Sequence, residues 1–569
     1  MNLEKRRKLE ETDPENSDKE LFRDLIRQLL RPHKTIRDSV HKDIYVTHLE
    51  TLILDTLDFQ RLRRLKQLGL TNLVFPSANH TRLEHSLGTL YMSDTMIEKI
   101  NKNPYARFKI GHVDRFIIRL CALLHDLGNI PYGHTLEDEG GLFGPQWSDE
   151  RLKRFLGDES KIGKVILDFE TLQALAILKC DRLAPGNVLK EVRQTLKFIE
   201  LKKPQDLERP YIADIVGNTL CADLLDYTRR DPYFTGISGS YDDRVLSYLY
   251  ITKVNGKKRL VLRLTKPSTE EIRHDVLSEF MDLLRLRYSL AEKVYYHHTK
   301  IIASAMLISA VNSMVQENRL SEESLFDMDD SLLLNHLSVN GTQIAKHLAD
   351  HLLERKLYKI AYDLSYSGEG IAQTETQKKD KIIADLKDPE SRYKMERTLE
   401  MMNSNSATVQ SNPGSIVIYC PEKKMGLKEI ETLVDYGKKI SPLKNIEDPR
   451  IEGEIETSIS AKHRELWRMY VIVDPDIPDI ERSYINGDCQ QLLGLPSASE
   501  KYRAASHTHY VDRYVDKWHS ENPKSTPLLA TEVKEIKAEL TTRGDSPDKI
   551  LSFSQFCGQI ADIRAPKKA

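Results

Sequence analysis

Titratable side chains crowd into one apolar segment of the chain, residues 119–140, which reads RLCALLHDLGNIPYGHTLEDEG. His125 and Asp126 are adjacent there, and His134 and Glu137 follow within a dozen residues. Imidazole and carboxylate groups are ligands for divalent cations, and they also donate and accept protons. The segment therefore predicts metal-assisted or acid–base chemistry at the edge of a hydrophobic core.

Two further motifs carry residues of the same kind. His85 opens the helical pattern of NHTRLEHSLGTLYM, and Asp223 lies on an apolar stripe in GNTLCADLLDYTRR. Taken singly, a hydrogen-bonded core histidine, or an ion pair of Asp223 with Arg229 or Arg230, is a sufficient explanation. Taken together, four such side chains on buried helix faces predict one site for a Mn, Fe, Zn or Mg ion: His85, His125, Asp126 and Asp223.

The elements that must position these residues are mostly helical by pattern. Apolar residues recur at three-to-four spacing from about residue 34 to 320, with one predicted β-hairpin around the turn Asn255-Gly256. The charged residues 1–33 predict a flexible arm, and 321–413 predict a helical extension that ends in the loop NSNSATVQSNPGS.

A smaller lobe is predicted from residue 414. The runs IVIYC and RMYVIVD are typical of strands, and GLKEIETLVDYGKK between them is helical by pattern. A mixed helical tail follows from about 476 to 569. The predicted fold is mainly α, with a helical core, a β-hairpin insertion and a smaller C-terminal α+β lobe.

Composition narrows the classes of function. The 569 residues carry a net charge of −2, so no global basic field supports a nucleic-acid partner. The six cysteines are scattered without a CxxC pair, which argues against a thiolate zinc site and favours a reducing cytoplasm. The first twenty residues lack the apolar core of a secretory signal, and no run of about 18 apolar residues predicts a membrane span.

Four motifs in this order resemble the HD-domain phosphohydrolases, and within them the deoxynucleoside triphosphate triphosphohydrolases, both bacterial dGTPases and SAM-and-HD-domain dNTPases. The motifs are TRLEHSLGTLYM, LLHDLGNIPYGHTLE, ADLLDYTRRDPYFTGI and LRYSLAEKVYYHHTK. The likeness covers roughly residues 34–320, with no SAM domain expected before them. It implies an HD-domain catalytic core that hydrolyses a dNTP to deoxynucleoside and inorganic tripolyphosphate.

The resemblance also implies roles for single residues. The four ligands named above would hold the metal, and Mg²⁺ would accompany the substrate phosphates. His134 would protonate the departing 5′ oxygen, and Glu137, three residues on, would orient His134 and raise its pKa. Six further positions match the residues around the substrate: Gln67, Arg82, Tyr227, Asp231, Arg287 and Tyr295.

A regulatory site is implied by a second set of matches. In the animal enzymes, the corresponding residues bind an activating guanine nucleotide between subunits, which implies a tetramer or hexamer here: Lys34, Asp55, Gln60 and Arg63. A solvated helix face with local ion pairs explains the same residues. Three positions depart from the animal pattern, where a lysine and two histidines are expected, and they leave substrate preference open: Leu224, Asp149 and Ala291.

Two other functions remain open at this point. The chain could be a different HD phosphohydrolase, such as a 5′-nucleotidase, a phosphodiesterase or an exonuclease, and the released product would distinguish these. It could also be a non-catalytic nucleotide-sensing scaffold, although a binding module does not need the general acid His134. For a dNTP triphosphohydrolase, the expected role is control of dNTP pools, with starvation of phages as an extension.

Overall fold

The computed structural model describes residues 14–266, 271–366, 373–422, 431–437, 439–447 and 466–498, and short stretches between 452 and 564. Within these residues the molecule is mainly helical, and its strands form three small sheets. The predicted mainly-α fold class is therefore confirmed. None of the helices in the described part of the chain combines the length and apolar content that crossing a membrane requires.

The helices before the predicted hairpin are α1 (Pro14–Leu29), α2 (His48–Leu54), α3 (Leu57–Gln60), α4 (Arg82–Lys102), α5 (His112–Leu124), α6 (Asp149–Leu156), α7 (Lys161–Leu167), α8 (Glu170–Ile177), α9 (Pro185–Glu200), α10 (Pro210–Gly217) and α11 (Ala222–Thr235). Those after it are α12 (His274–Leu290), α13 (His298–Gln316), α14 (Glu322–Leu325), α15 (Asp330–Asn340), α16 (Gln343–Leu353), α17 (Gln373–Leu386), α18 (Pro389–Met402), α19 (Ala407–Ser411), α20 (Asp479–Leu493) and α21 (Phe553–Arg564). Short π turns occupy Thr135–Glu139 and Ala291–Tyr295.

The strands are β1 (Pro32–Asp38), β2 (Lys42–Thr47), β3 (Leu249–Val254), β4 (Lys257–Arg263), β5 (Lys359–Ser365), β6 (Ile416–Tyr419), β7 (Leu433–Asp435), β8 (Ile440–Pro442) and β9 (Arg468–Val473). They form a two-stranded sheet β1-β2, a four-stranded sheet β3-β4-β7-β8 and a three-stranded sheet β5-β9-β6.

Helix α4 lies at the centre of the larger core and packs against both α5 and α11. It begins with a capping box, in which Thr81 and Glu84 satisfy each other's backbone amides. The apolar side of α5 is fully buried, as its pattern predicts. Because α4, α5 and α11 pack together, the three motifs that carry the predicted metal ligands meet in space.

The N-terminal region differs from the prediction of a flexible arm. Residues 14–29 form α1, and Ile26 and Leu29 are buried in the main core. The reason is an amphipathic pattern, in which Phe22 and Leu25 pack on the same core, within an otherwise charged sequence. The hairpin β1-β2 follows and was also missed, while residues 1–13 lie outside the described part.

The predicted hairpin around Asn255-Gly256 is confirmed as β3-β4, with positive φ angles of 50° and 81° at the two turn residues. The helix predicted over GLKEIETLVDYGKK is wrong at 433–435, which form β7 in parallel pairing with β4. Pairing with an existing sheet edge overrides the local helical pattern there. Residues 426–430 and 438 of that prediction lie outside the described residues.

The C-terminal lobe has a small core of its own around β5-β9-β6. The predicted strands IVIYC and RMYVIVD are confirmed as β6 and β9, and β9 lies antiparallel between its two neighbours. Strand β5 comes from the segment predicted as a helical extension, and α19 lies inside the predicted loop. The lobe therefore draws on residues before 414.

Candidate functional site

The four predicted metal ligands converge where α4, α5 and α11 meet. His85 lies in the first turn of α4, His125 and Asp126 directly follow α5, and Asp223 lies in the first turn of α11. His85 Nε2 is 3.1 Å from His125 Nε2 and 3.0 Å from Asp223 Oδ1. His125 Nε2 is 3.8 Å from Asp126 Oδ1. Atoms that share one transition ion at about 2.0–2.2 Å lie about 3 Å apart, so these side chains fit a single divalent ion.

Neighbouring groups fix the orientation of His125 and Asp126. His125 Nδ1 donates to the carbonyl oxygen of Ala122 at 2.8 Å, so its Nε2 lone pair faces the cluster. Asp126 accepts hydrogen bonds from Asn129 and from Arg82, both at 2.9 Å. Burial alone would raise the pKa of Asp126, but the charges of Arg82 and the histidines outweigh it and hold the carboxyl well below its usual range. Asp126 is therefore ionised, as a metal-binding carboxylate must be.

A buried network behind His85 was not predicted. His85 Nδ1 contacts Asp226 at 2.7 Å, and Asp226 also contacts His41 at 2.6 Å. Arg230 donates to Asp226 and to Asp38, both at 2.9 Å. The side chains of Asp226 and Arg230 are fully buried, so this charged cluster fixes the imidazole plane of His85 from behind.

Asp223 is more exposed than its apolar stripe predicts, with 34% of its side chain accessible. The stripe assumed one helix, whereas α10 ends at Gly217 and α11 begins at Ala222. Asp226, one turn later, takes the buried position instead. The second aspartate in ADLLDY is the sequence signal that could have revealed the network.

The pKa of His85 is raised to about 10. Burial disfavours the charged imidazole, but hydrogen bonds to Asp223 and Asp226 and the nearby carboxylate charges outweigh it. The carboxylates therefore favour a positive charge at this position. A divalent cation bound by neutral imidazoles and ionised carboxylates supplies such a charge, so the donor set fits a metal of the Mn, Fe, Zn or Mg type.

His134 lies in the same cleft, and its carboxylate partner differs from the predicted one. His134 Nδ1 is 2.8 Å from Asp138, whereas Glu137 accepts a hydrogen bond from the buried Arg151. The turn is of π type, with more residues per turn than an α-helix, and the carboxylate four positions on reaches the imidazole. Desolvation lowers the pKa of His134, but the hydrogen bond to Asp138 outweighs this and raises it.

A cleft of about 350 Å³ joins the predicted metal ligands to His134, a volume in the range of small-molecule sites. Its walls include Gln67, Tyr227 and Arg287 from the predicted substrate set, and Arg287 donates to the Tyr227 hydroxyl at 2.8 Å. Arg82 reaches the site through its hydrogen bond to Asp126.

The remaining substrate residues support this wall from behind. The Tyr295 hydroxyl donates to the buried Asp231 at 2.5 Å, and His80 contacts the same carboxylate at 2.9 Å. The rings of Tyr295 and Tyr227 meet edge to face with centroids 6.5 Å apart. The structure thus places all six predicted substrate residues at the cleft or one contact behind it.

The predicted regulatory residues form two local pairs on the surface. Lys34 Nζ is 3.8 Å from Asp55, and Arg63 donates to Gln60 at 2.7 Å. Local pairs of this kind are what a solvated face also makes, so nucleotide binding there stays a prediction.

The three departures from the animal pattern have distinct locations. Leu224 lines the cleft, Ala291 is buried at the start of the second π turn, and Asp149 is exposed and pairs with Lys197. The residue nearest the expected second histidine therefore points to solvent, and the cleft wall there is formed by Gln146 and Trp147.

Fold and site together define the class of this protein. Residues 82–215 match the HD domain and residues 281–471 match the HD associated region. The chain thus contains an HD domain and its associated region. The matched HD domain begins at the first turn of α4 and contains His85, His125 and Asp126.

Among particular relatives, the chain is 32% identical over 333 residues to an uncharacterized protein of Methanocaldococcus jannaschii, covering 58% of this chain and 60% of that protein. It is 26% identical over 354 residues to the deoxynucleoside triphosphate triphosphohydrolase SAMHD1 of Danio rerio, covering 59% and 53%. For the SAMHD1 homolog of Dictyostelium discoideum the identity is 28% over 355 residues, covering 59% and 62%. The chain therefore spans between half and two thirds of the length of these relatives.

The fold also resembles a solved structure. A crystal structure of a phosphohydrolase from Bacteroides thetaiotaomicron superimposes with a TM-score of 0.50 at 20% identity, covering 78% of this chain and all of that one. At this identity the likeness concerns the fold alone.

Proposed function

We propose that this protein hydrolyses dNTPs to deoxynucleoside and inorganic tripolyphosphate. The observation that carries the proposal is a single cleft lined both by the four predicted metal ligands and by His134, whose raised pKa favours its protonated form. The similarity to proteins named deoxynucleoside triphosphate triphosphohydrolases supports this choice of substrate.

The charges in the cleft suit a triphosphate. A bound divalent ion would orient and acidify a water and neutralise charge on the α-phosphate, with Mg²⁺ accompanying the other phosphates. Arg82 and Arg287 offer guanidinium groups, which bind phosphate oxygens through several donors. His134, held by Asp138, can donate its proton to the departing 5′ oxygen, a poor leaving group as an alkoxide.

Selection of deoxynucleotides is assigned to the tyrosine pair. Tyr227 lines the cleft, and Tyr295 packs against its edge. A ring packed under C2′ of the sugar leaves no room for a 2′-hydroxyl, so ribonucleotides should be excluded by shape.

The proposal extends to regulation, assembly and location. Lys34, Asp55, Gln60 and Arg63 would bind an activating nucleotide between the subunits of a tetramer or hexamer. All six cysteines are free thiols, which fits a protein of the reducing cytoplasm. In the cytoplasm the enzyme would control dNTP pools and so limit the DNA precursors that are available to phages.

Product analysis tests the proposal. The purified protein is incubated with Mn²⁺ or Mg²⁺ and each of dATP, dGTP, dCTP, TTP and ATP, and the products are separated by ion chromatography. Deoxynucleoside and tripolyphosphate should appear in equal amounts from dNTPs only, and Asp126→Ala should abolish them. Orthophosphate or pyrophosphate would indicate another HD phosphohydrolase, and no product under any condition would indicate a scaffold.

A further inference from the structure

A second cluster of histidine and carboxylate side chains lies outside the candidate active site. His347 and His351 are four residues apart on α16, and Asp474 directly follows β9. Positions i and i+4 share one face of a helix, so both imidazoles point to the same side. One ligand atom from each of the three residues lies within 4.8 Å of the other two.

The fold presents the Asp474 carboxylate to the two imidazoles. Asp474 is fully buried, its backbone amide donates to Ser415 at 2.8 Å, and its Oδ1 accepts from the amide of Asp476 at 2.9 Å. Its Oδ2 lies 2.7 Å from His347 Nε2 and 3.8 Å from His351 Nε2. A buried carboxylate held in this way needs a cation or donors on its remaining oxygen.

His351 does not supply a donor in its neutral form. Its Nδ1 lies 2.9 Å from the carbonyl oxygen of His347, and since a carbonyl only accepts, Nδ1 carries the proton. The lone pair of Nε2 then faces the carboxylate. Within the described part of the chain, this buried Nε2 has no hydrogen-bond partner. Two electron-rich atoms facing each other in this way favour a positive charge between them.

We propose that His347, His351 and Asp474 bind a divalent transition-metal ion of the zinc class. Ligand atoms around tetrahedral Zn²⁺ lie about 3.3 Å apart, and the two nitrogen–oxygen distances of 2.7 and 3.8 Å bracket this value. An Nδ1–H that donates to a carbonyl is the contact that orients metal-bound histidines. Two imidazoles favour Zn²⁺ over Mg²⁺, and three protein ligands leave one position for water.

The bound ion would join the two hydrophobic cores. Helix α16 packs against α13 and α15 in the main core, whereas β9 is the middle strand of the C-terminal sheet. Tyr358 lies beside both imidazoles, with ring centroids at 6.5 and 6.0 Å, and its hydroxyl donates to the carbonyl oxygen of Gly414. The ion therefore acts as a structural link between layers, and this role is independent of the proposed dNTP hydrolysis.

Metal stoichiometry tests the proposal on the full chain. The protein is stripped with a chelator and titrated with Zn²⁺ alone, and bound zinc is measured by equilibrium dialysis and elemental analysis. The unmodified chain should bind two equivalents, and His351→Gln should bind one. His336→Gln, on the neighbouring α15 and outside both clusters, is the matched control and should retain both equivalents.

A complementary variant removes the other site. Asp126→Ala should still bind one equivalent of Zn²⁺, and that zinc should raise its melting temperature. The proposal is overturned if Asp126→Ala binds no zinc, or if His351→Gln binds as much as the unmodified chain. A protonated His347–Asp474 ion pair without metal would give both of these results. Because the Asp126→Ala arm leaves α16 intact, the test does not depend on the folding of the histidine variants.

Discussion

His134 and Asp138 set the pH range over which the proposed general acid holds its proton. Because the pKa of His134 is raised, protonation is complete below that pKa, and proton donation is lost as pH rises through it. Removing the Asp138 charge should lower the pKa of His134. We predict that Asp138→Asn moves the high-pH limb of the kcat profile to lower pH.

Glu137→Gln is the matched control, because Glu137 is hydrogen-bonded to Arg151 rather than to His134. Glu137→Gln should move the high-pH limb less than Asp138→Asn does. The shift is measured from kcat against pH with saturating metal. A limb that moves with Glu137→Gln and stays in place with Asp138→Asn would contradict the assignment of Asp138.

Asp226 should control metal affinity without touching the metal. Loss of its charge frees the imidazole plane of His85, and loss of such a supporting carboxylate weakens metal binding by about 10–100-fold. We predict this decrease for Asp226→Asn in a calorimetric titration with Mn²⁺. Asp243→Asn, which removes the half-exposed partner of Arg229 on the following segment, should leave the affinity unchanged. Equal affinities for the two variants would show that Asp226 does not position His85.

Residue types and motif order were enough to predict that His85, His125 and Asp126 lie together in one cluster. They could not predict the network of Asp226, His41 and Arg230 behind His85, because these residues come into contact only when α4, α11 and the β1-β2 hairpin pack together. Glu137 was predicted as the partner of His134 in place of Asp138 for a similar reason. The spacing alone suggested an α-helical turn, whereas the local π geometry is set by tertiary contacts.

The contact between α4 and α11 depends on Gly88. A Cβ atom at this position would lie 1.9 Å from Asp226 Oδ1 and 2.4 Å from Arg230 Nη2. In an unobstructed helix, Gly→Ala stabilises by about 1 kcal/mol, whereas overpacking a buried contact costs about 1–3 kcal/mol. We predict that Gly88→Ala lowers the free energy of unfolding and weakens metal binding.

Gly186→Ala provides the control for that prediction. Gly186 is at the start of α9, and a Cβ there meets no atom of the described residues within 4 Å. Chemical denaturation should show it neutral or slightly stabilising. If both substitutions proved neutral, the close approach of α4 and α11 would have no energetic importance.

At the scale of elements, local patterns predicted the helices of the core, the β3-β4 hairpin and the strands β6 and β9. The errors are elements whose partners are remote in sequence. Strand β7 was predicted as helix because its pairing with Leu262 and Arg263 of β4, remote in sequence, joins it and the neighbouring β8 to a sheet. Helix α1 was missed because its few apolar residues can be recognised as a buried helix face only from their packing against the core.

The whole molecule should assemble when a nucleotide binds at the surface pairs of Lys34 with Asp55 and of Gln60 with Arg63. We predict that gel filtration of the Asp126→Ala chain, which cannot consume nucleotide, shows a tetramer or hexamer with an activating nucleotide. Arg63→Ala should shift this assembly to higher nucleotide concentration because it removes a phosphate-binding cation. A strict monomer with every nucleotide would contradict the proposed regulation and leave the proposed chemistry untouched.

The position of bond cleavage tests the central proposal most directly. The protein is given a dNTP in ¹⁸O-labelled water, and the products are examined by mass spectrometry. Attack by water on the α-phosphorus, with His134 protonating the 5′ oxygen, predicts one ¹⁸O in the tripolyphosphate and none in the deoxynucleoside. Label in orthophosphate or pyrophosphate, or in the nucleoside 5′-hydroxyl, would contradict the proposed triphosphohydrolase.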